Sequence, residues 1–189
     1  MKYLISIIIT LILVILLLFN TKSKAFEFSS SSLVDVPYKF LNSSEKKEVD
    51  CLIDNIYYEA LSEPRDGQIA VALVTLNRVK SNVFEKNVCG VVHQRTKNAS
   101  GNTVCQFSWL CEGKKSLTQN QKEAYNNIRE VALYVYFNHS VIYDLTYGAI
   151  YYHADYVSPG WNNLKKTTKI GRHIFYTDPK VIALYGGKT

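Results

Sequence analysis

Glu59 is the residue of this chain best placed for acid–base chemistry. It stands in Ile56-Tyr57-Tyr58-Glu59-Ala60-Leu61-Ser62-Glu63-Pro64, at the end of a run in which Val49, Leu52, Ile53, Ile56, Tyr57 and Ala60 recur at three- and four-residue spacing. That spacing predicts a helix with one apolar stripe. At about 100° per residue, Glu59 falls within about 20° of Leu52, on the edge of the stripe. Pro64 and Gly67 limit the helix to a last turn just beyond it. A carboxyl group there is partly desolvated, and desolvation raises its pKa by disfavouring the charged form. A neutral acid near neutral pH is what protonation of a glycosidic oxygen requires. Position alone fits equally a half-exposed Glu whose stem covers Leu52 and whose head pairs with a Lys or Arg.

Two further carboxylates follow closely. Glu63 lies one turn on and would face Glu59, but two like charges there suit a turn that ends the helix. Asp66 is expected to cap the next helix. His153 and His173 admit two readings. Joined by Asp155 and Glu59 they would form a His-plus-carboxylate metal site of the kind zinc amidases use. On β-prone segments beside aromatic residues they would instead be structural imidazoles satisfied by backbone carbonyls. No H-x-x-x-H or H-x-x-E-H spacing occurs, so neither a metal nor another cofactor is expected.

The elements that must hold these residues are mostly helical. Ser43 or Ser44 is expected to cap the first helix, with Glu45 and Glu48 at its positive end. The second helix, from about Gln68 to Val79, is apolar on nearly every face and therefore buried. Asn77 and Arg78 sit at its end, and Ser81-Asn82 breaks it. Residues 97–102 read as a surface loop. Thr118-Gln119-Asn120-Gln121 matches a capping box and starts a long helix to about Phe137, with Tyr125, Ile128, Ala132 and Val135 as its stripe. Gly148–His153 and Arg172–Tyr176 are β-prone and aromatic, with a basic stretch, Lys165–Lys169, between them. A small antiparallel sheet on a helical body, an α+β and mainly helical domain, follows.

The N-terminus places the chain outside the cytosol. Lys2 precedes Leu4–Phe19, an uncharged run rich in Ile, Leu and Val, and Ser23 and Ala25 are spaced as at a signal-peptidase site. Residues 1–25 are expected to be a signal peptide or, left uncleaved, a membrane anchor through residues 4–19 with its N-terminus inside. Residues 26–43 read as a linker and 44–189 as one domain. Cys51, Cys89, Cys105 and Cys111 are an even set in an exported chain, which favours disulfides, with Cys105–Cys111 the most local pair. Lys and Arg outnumber Asp and Glu by 22 to 16, a formal charge of +6. For an exported protein that charge suits an anionic wall polymer or a membrane face; nucleic acid is not expected as a partner. Fourteen tyrosines and two tryptophans can stack on sugar faces or fill cores.

Seven blocks in uninterrupted order carry a resemblance. They are Ile56–Ala60, Glu63-Pro64 with Gly67–Ala72, Asn77-Arg78-Val79, Cys89–Val92, Cys105–Trp109, Tyr152-His153-Ala154 and Gly171–Tyr176. Together they resemble the SleB/CwlJ family of cell-wall hydrolases, the spore-cortex-lytic type. The resemblance implies a lysozyme-like domain in the periplasm or cell wall that acts on peptidoglycan glycan strands between N-acetylmuramic acid and N-acetylglucosamine. It maps the family's catalytic acid onto Glu59. Glu59 has no partner carboxylate at a fixed spacing, so a one-carboxylate lytic transglycosylase route fits better than a two-carboxylate mechanism; simple hydrolysis of the same bond stays open. Gln106, Ser108, Tyr152, His153, Trp161 and His173 are the expected substrate-binding set, holding N-acetyl groups in the cleft. Trp109 and Phe107 would equally serve as core beneath a disulfide loop. A zinc-dependent amidase and a non-catalytic wall-binding protein are the rival readings.

Overall fold

Asn42 starts the body of the fold. In this computed structural model, which describes residues 33–98, 100–113 and 116–181, its side chain accepts from the backbone N–H groups of Ser44 and Glu45, and Glu45 answers with a bond to the Asn42 N–H. This capping box launches α1 (Ser43–Ala60). The cap is thus Asn42 and not Ser43 or Ser44, because the helix begins a residue earlier than the serines suggest. Val49, Leu52, Ile53, Ile56, Tyr57 and Ala60 are all buried, so the expected stripe is the packing face.

α2 (Arg65–Lys80) follows after a four-residue turn. It starts before Gln68 because Pro64 occupies the position preceding its first turn, where the fixed φ and missing N–H cost nothing. Asp66 does not cap it; Asp66 is an exposed first-turn acid that suits the positive helix end. Ala70 to Leu76 is buried on all sides, between α1 and α5 on one side and the sheet on the other. Cys89 lies on a short helix, α3 (Val88–His93). The Glu48 carboxylate accepts from the Val88 and Cys89 N–H groups at 2.6 and 3.2 Å. Glu48 therefore caps α3 from α1, and the Cys51–Cys89 disulfide covalently joins the same two helices.

Of residues 97–102, expected as a loop, Lys97 ends β1 (Arg95–Lys97), and 98 and 100–102 form the tip of a short hairpin that leads to β2 (Thr103–Cys105). Asn98 organises the tip by accepting from the N–H groups of Ser100 and Asn102, the local side-chain turn that Asn favours. Cys105–Cys111 then closes β2 onto α4 (Ser108–Glu112). Thr118 and Gln121 form the expected capping box for α5 (Gln119–Asn138), which buries Ile128, Val131, Ala132, Leu133 and Val135 against α1 and α2.

The sheet has three antiparallel strands in the order β3-β5-β4: β3 (Tyr151–Ala154), β4 (Lys165–Ile170) and β5 (His173–Thr177). The basic stretch is itself strand β4, hidden in the sequence because its three Lys side chains are exposed and its two Thr side chains only half-buried. Register fixes the faces. Tyr152, His173 and Phe175 share the face that packs on Ala70, Val74 and Ala149. Tyr151, His153, Ile174 and Tyr176 share the other.

Residues 33–42, read as linker, are fastened to the body. Val34 exchanges two hydrogen bonds with the Asn138 side chain, and the Tyr38 hydroxyl donates to Asp50. From Leu33 onward the chain is one unit. The N-terminal signal or anchor lies outside the described residues; among those described, no helix is long and apolar enough to cross a membrane.

Candidate active site

Glu59 sits half-buried in the last turn of α1. The Tyr152 hydroxyl donates to its Oε2 at 3.2 Å. That contact depends on how α2 holds the chain entering β3. Asn77 donates to Asp144 and to the Ala149 carbonyl at 2.9 and 3.1 Å, and Arg78 Nε donates to the Ile150 carbonyl at 2.7 Å. Asp144 in turn accepts from the N–H groups of Thr146 and Gly148. The tight turn this creates puts Tyr147 and Gly148 at φ 55° and 75°. The end of the buried helix thereby fixes the start of β3, and β3 delivers Tyr152 to Glu59.

Arg78 is 3% exposed and carries its charge among the rings of Phe84, Phe107 and Tyr151, at 5.0, 5.2 and 6.0 Å from their centroids. Such contacts offset part of its lost hydration. Burial raises the Glu59 carboxyl above its ordinary value; the Tyr152 hydrogen bond and the Arg78 charge pull it down, and Glu112 pushes it up. Burial also raises the Tyr152 hydroxyl well above its usual value, with the Glu59 charge adding to the shift, so Tyr152 stays a donor.

Glu63 is engaged with the sheet. Its Oε2 accepts from the Arg172 N–H at 2.9 Å, tying the α1–α2 turn to the β4–β5 hairpin. Two glycines make room for it. A Cβ on Gly171, which has φ +56°, would lie 1.8 Å from Glu63 Oε2, and one on Gly67 would lie 2.9 Å from Glu63 Cβ. The Glu63, Gly67 and Gly171 blocks, distant in sequence, are one packed unit.

The structure divides the expected binding set. Tyr152 and His173 lie together on the body-facing side, rings 5.0 Å apart. His173 is buried, its Nδ1 has no partner among the described residues, and burial lowers its pKa. His153 and Trp161 lie on the opposite face, away from Glu59, because alternation along β3 turns His153 outward. Both His153 nitrogens are engaged, with the Ala154 carbonyl and the Tyr176 hydroxyl at 2.8 and 3.0 Å. The two histidines therefore cannot share an ion with Glu59, and the zinc-amidase constellation does not assemble. Gln106 is half-buried and Ser108 exposed at the start of α4; no hydrogen bond links either side chain to Glu59 among the described residues.

Trp109 is a core residue that also borders a groove. It is buried, donates to Asn55 at 3.4 Å, and stacks on Tyr58 at 4.7 Å. Tyr58, Leu61, Trp109 and Glu112 line a groove of about 280 Å3 beside the end of α1. Arg78 and Glu112 are the residues sequence reasoning missed at the site. The signal for Arg78 was its place at the end of a helix otherwise apolar all round; Glu112 carried none, since α4 is only five residues long.

A helical body and a small antiparallel sheet meeting at one half-buried carboxyl make this a lysozyme-like domain. The chain belongs to the Cell Wall Hydrolase family, whose model matches residues 62–176; Glu59 lies three residues before that segment. It is 30% identical over 144 residues to a spore cortex-lytic enzyme of Oceanobacillus iheyensis, covering 75% of this chain and 44% of the relative. A spore cortex-lytic enzyme of Bacillus cereus is 29% identical over 136 residues, 71% of this chain and 46% of the relative. The chain thus spans less than half the length of these curated relatives. Among solved structures, the catalytic domain of the germination-specific lytic transglycosylase SleB from Bacillus anthracis aligns over 75% of this chain and 100% of that domain, with TM-score 0.50 and 27% identity.

Proposed function

We propose that this protein cleaves peptidoglycan glycan strands between N-acetylmuramic acid and N-acetylglucosamine as a lytic transglycosylase, with Glu59 as its single acid and base. The observation that carries the reading is the Glu59 environment: a half-buried carboxyl with a raised pKa, one hydrogen bond from Tyr152, and Glu63 committed to the Arg172 backbone. Protonated Glu59 gives its proton to the departing glycosidic oxygen as the bond from the anomeric carbon breaks. The muramic acid 6-hydroxyl then bonds to that carbon and returns its proton to Glu59. The products are a new free hydroxyl and a 1,6-anhydro ring, and Glu59 ends as it began. The relative from Bacillus anthracis, a lytic transglycosylase by name, supports the same chemistry.

Arg78 and Tyr152 suit the second half of the cycle, since both stabilise the carboxylate form. Glu112 favours one other outcome, hydrolysis, because its charge reaches Glu59 and a second carboxylate would activate water. Mass analysis of material released from purified sacculi decides. Anhydro-ended fragments are expected; reducing-ended fragments, heavier by one water, would move the assignment to hydrolysis. Export to the cell wall, with residues 1–25 as signal peptide or membrane anchor, belongs to this reading too; the family and the two disulfides support the export.

A further inference from the structure

The outer face of the sheet carries a second pocket that neither Glu59 nor the helical body helps to form. It encloses about 420 Å3 and is lined by Tyr151, Trp161, Asn162, Asn163, Asp178 and Lys180 among others, from β3, the stretch before β4 and the chain just after β5. Two rings, Tyr151 and Trp161, line it, and further rings support Trp161 from the sheet. The Trp161 indole lies 5.8 Å from Tyr151, 5.6 Å from His153 and 5.6 Å from Tyr176. His153 is locked by its two hydrogen bonds and stacks on Tyr176 at 5.3 Å. Trp161 is thus propped on three sides while remaining 38% exposed. An exposed ring held this way loses little freedom when a ligand covers it.

The rim supplies hydrogen bonds of mixed type. The Asn162 and Asn163 amides offer donors and acceptors and have no partner among the described residues. Asp178 adds a carboxylate and Lys180 an ammonium. One apolar aromatic face ringed by neutral amides and one charge of each sign matches a flat ligand with an apolar face and hydroxyl or acetamido groups at its edge.

We infer that this outer pocket is a glycan-binding site, distinct from the Glu59 site, that takes an N-acetylated amino sugar with its apolar face against Trp161. The choice of sugar rests on the proposed function. A site there would hold one part of a polymeric substrate while Glu59 cuts another, and two linked contacts on one chain raise avidity without new affinity at either.

The chain has only two tryptophans, Trp109 and Trp161, and each reports one site. The indole N–H signals of isotope-labelled full-length Glu59→Gln protein would be followed by NMR during titration with a soluble N-acetylglucosamine tetrasaccharide and, separately, with free stem peptide. Saturable movement of the Trp161 signal with sugar is expected, with a midpoint independent of that for Trp109. Asn163→Ala, at an exposed position, should weaken the Trp161 response about tenfold, the loss of one well-made contact, and leave the Trp109 response in place. A Trp161 signal that stays still with sugar, or moves only with stem peptide, overturns the inference. Wild-type cleavage of sacculi, read in parallel, keeps the two claims separate. An active enzyme with a silent Trp161 sinks only the outer site, and an inactive enzyme with a responsive Trp161 sinks only the catalytic reading.

Discussion

Burial raises the proton affinity of Glu59, and three neighbours adjust it. The Tyr152 hydroxyl lowers the Glu59 pKa by stabilising the carboxylate. Tyr152→Phe should therefore raise it and move the alkaline limb of the pH–rate profile upward, because the first step needs the protonated acid. The cost at the optimum should stay within about tenfold, since one hydrogen bond contributes about 0.5–1.5 kcal/mol; an unmoved limb would remove Tyr152 from the mechanism. Linkage gives a second consequence. The folded-state pKa of Glu59 lies above its ordinary 4.5, so the folded protein holds this proton more tightly than the unfolded chain does. Stability from this group is intact below 4.5 and declines as pH rises through the folded value. Glu59→Gln should match the wild type in denaturant unfolding below 4.5 and exceed it near neutrality. His173 runs the opposite way. Burial depresses its pKa below 6.5, so its contribution is complete above 6.5 and is lost as pH falls through the lower folded value.

At the scale of elements, the lock formed by Glu63, Gly67 and Gly171 joins the α1–α2 turn to the β4–β5 hairpin. Gly171→Ala meets both a positive φ and the Glu63 carboxylate, and should destabilise by about 1–3 kcal/mol. Glu63→Ala in the same chain removes the steric part and should restore some of that loss, a coupling that a double-mutant cycle measures. Simple additivity would mean that the two residues do not share the space. This lock also shows where the sequence stops being legible. Pro64 and Gly67 announced a turn, but nothing there or around Gly171 says that one carboxylate fills both. The helices were readable because their stripes and caps are local: α5 begins at Thr118 as the capping box requires. Asn42 was missed beside two equally good capping residues. Strand β4 was missed because its polar Lys and Thr residues show no apolar alternation, and β1 and β2 because three-residue strands are too short to show any. The half-buried placement of Glu59 was legible from its stripe, whereas the separation of His153 and Trp161 from it needed the sheet register.

The whole molecule carries +6, but its basic surface is not uniformly free. Lys169 and Arg172 pair with Asp155 at 3.0 and 3.6 Å, leaving Lys165 and Lys166 as the exposed, unpaired cations of β4 among the described residues. Retention on sacculi should fall with added salt, since exposed charges are screened beyond about 8 Å at physiological ionic strength. Replacing Lys165 and Lys166 together with Ala should flatten that salt dependence more than Lys169→Ala does; equal slopes would place the contact elsewhere. All four cysteines are paired, and Cys51–Cys89 joins α1, which carries Glu59, to α3 across 38 residues. Replacing both with Ala should cost about 2–4 kcal/mol, visible as a lower denaturant midpoint. An unchanged midpoint would mean that the Glu48 cap alone holds α3.

The central claim is that one carboxyl performs both proton transfers. Turnover of purified sacculi by Glu59→Gln tests it most directly, with Glu63→Gln as the companion and circular dichroism and sacculus binding as checks on the fold. Glu59→Gln should bind and fold as the wild type does while losing at least about 10²–10⁴-fold in rate, the range for general acid catalysis. Glu63→Gln should lose far less, since an amide oxygen can still accept from the Arg172 N–H. Substantial cleavage by a folded Glu59→Gln protein would contradict the account.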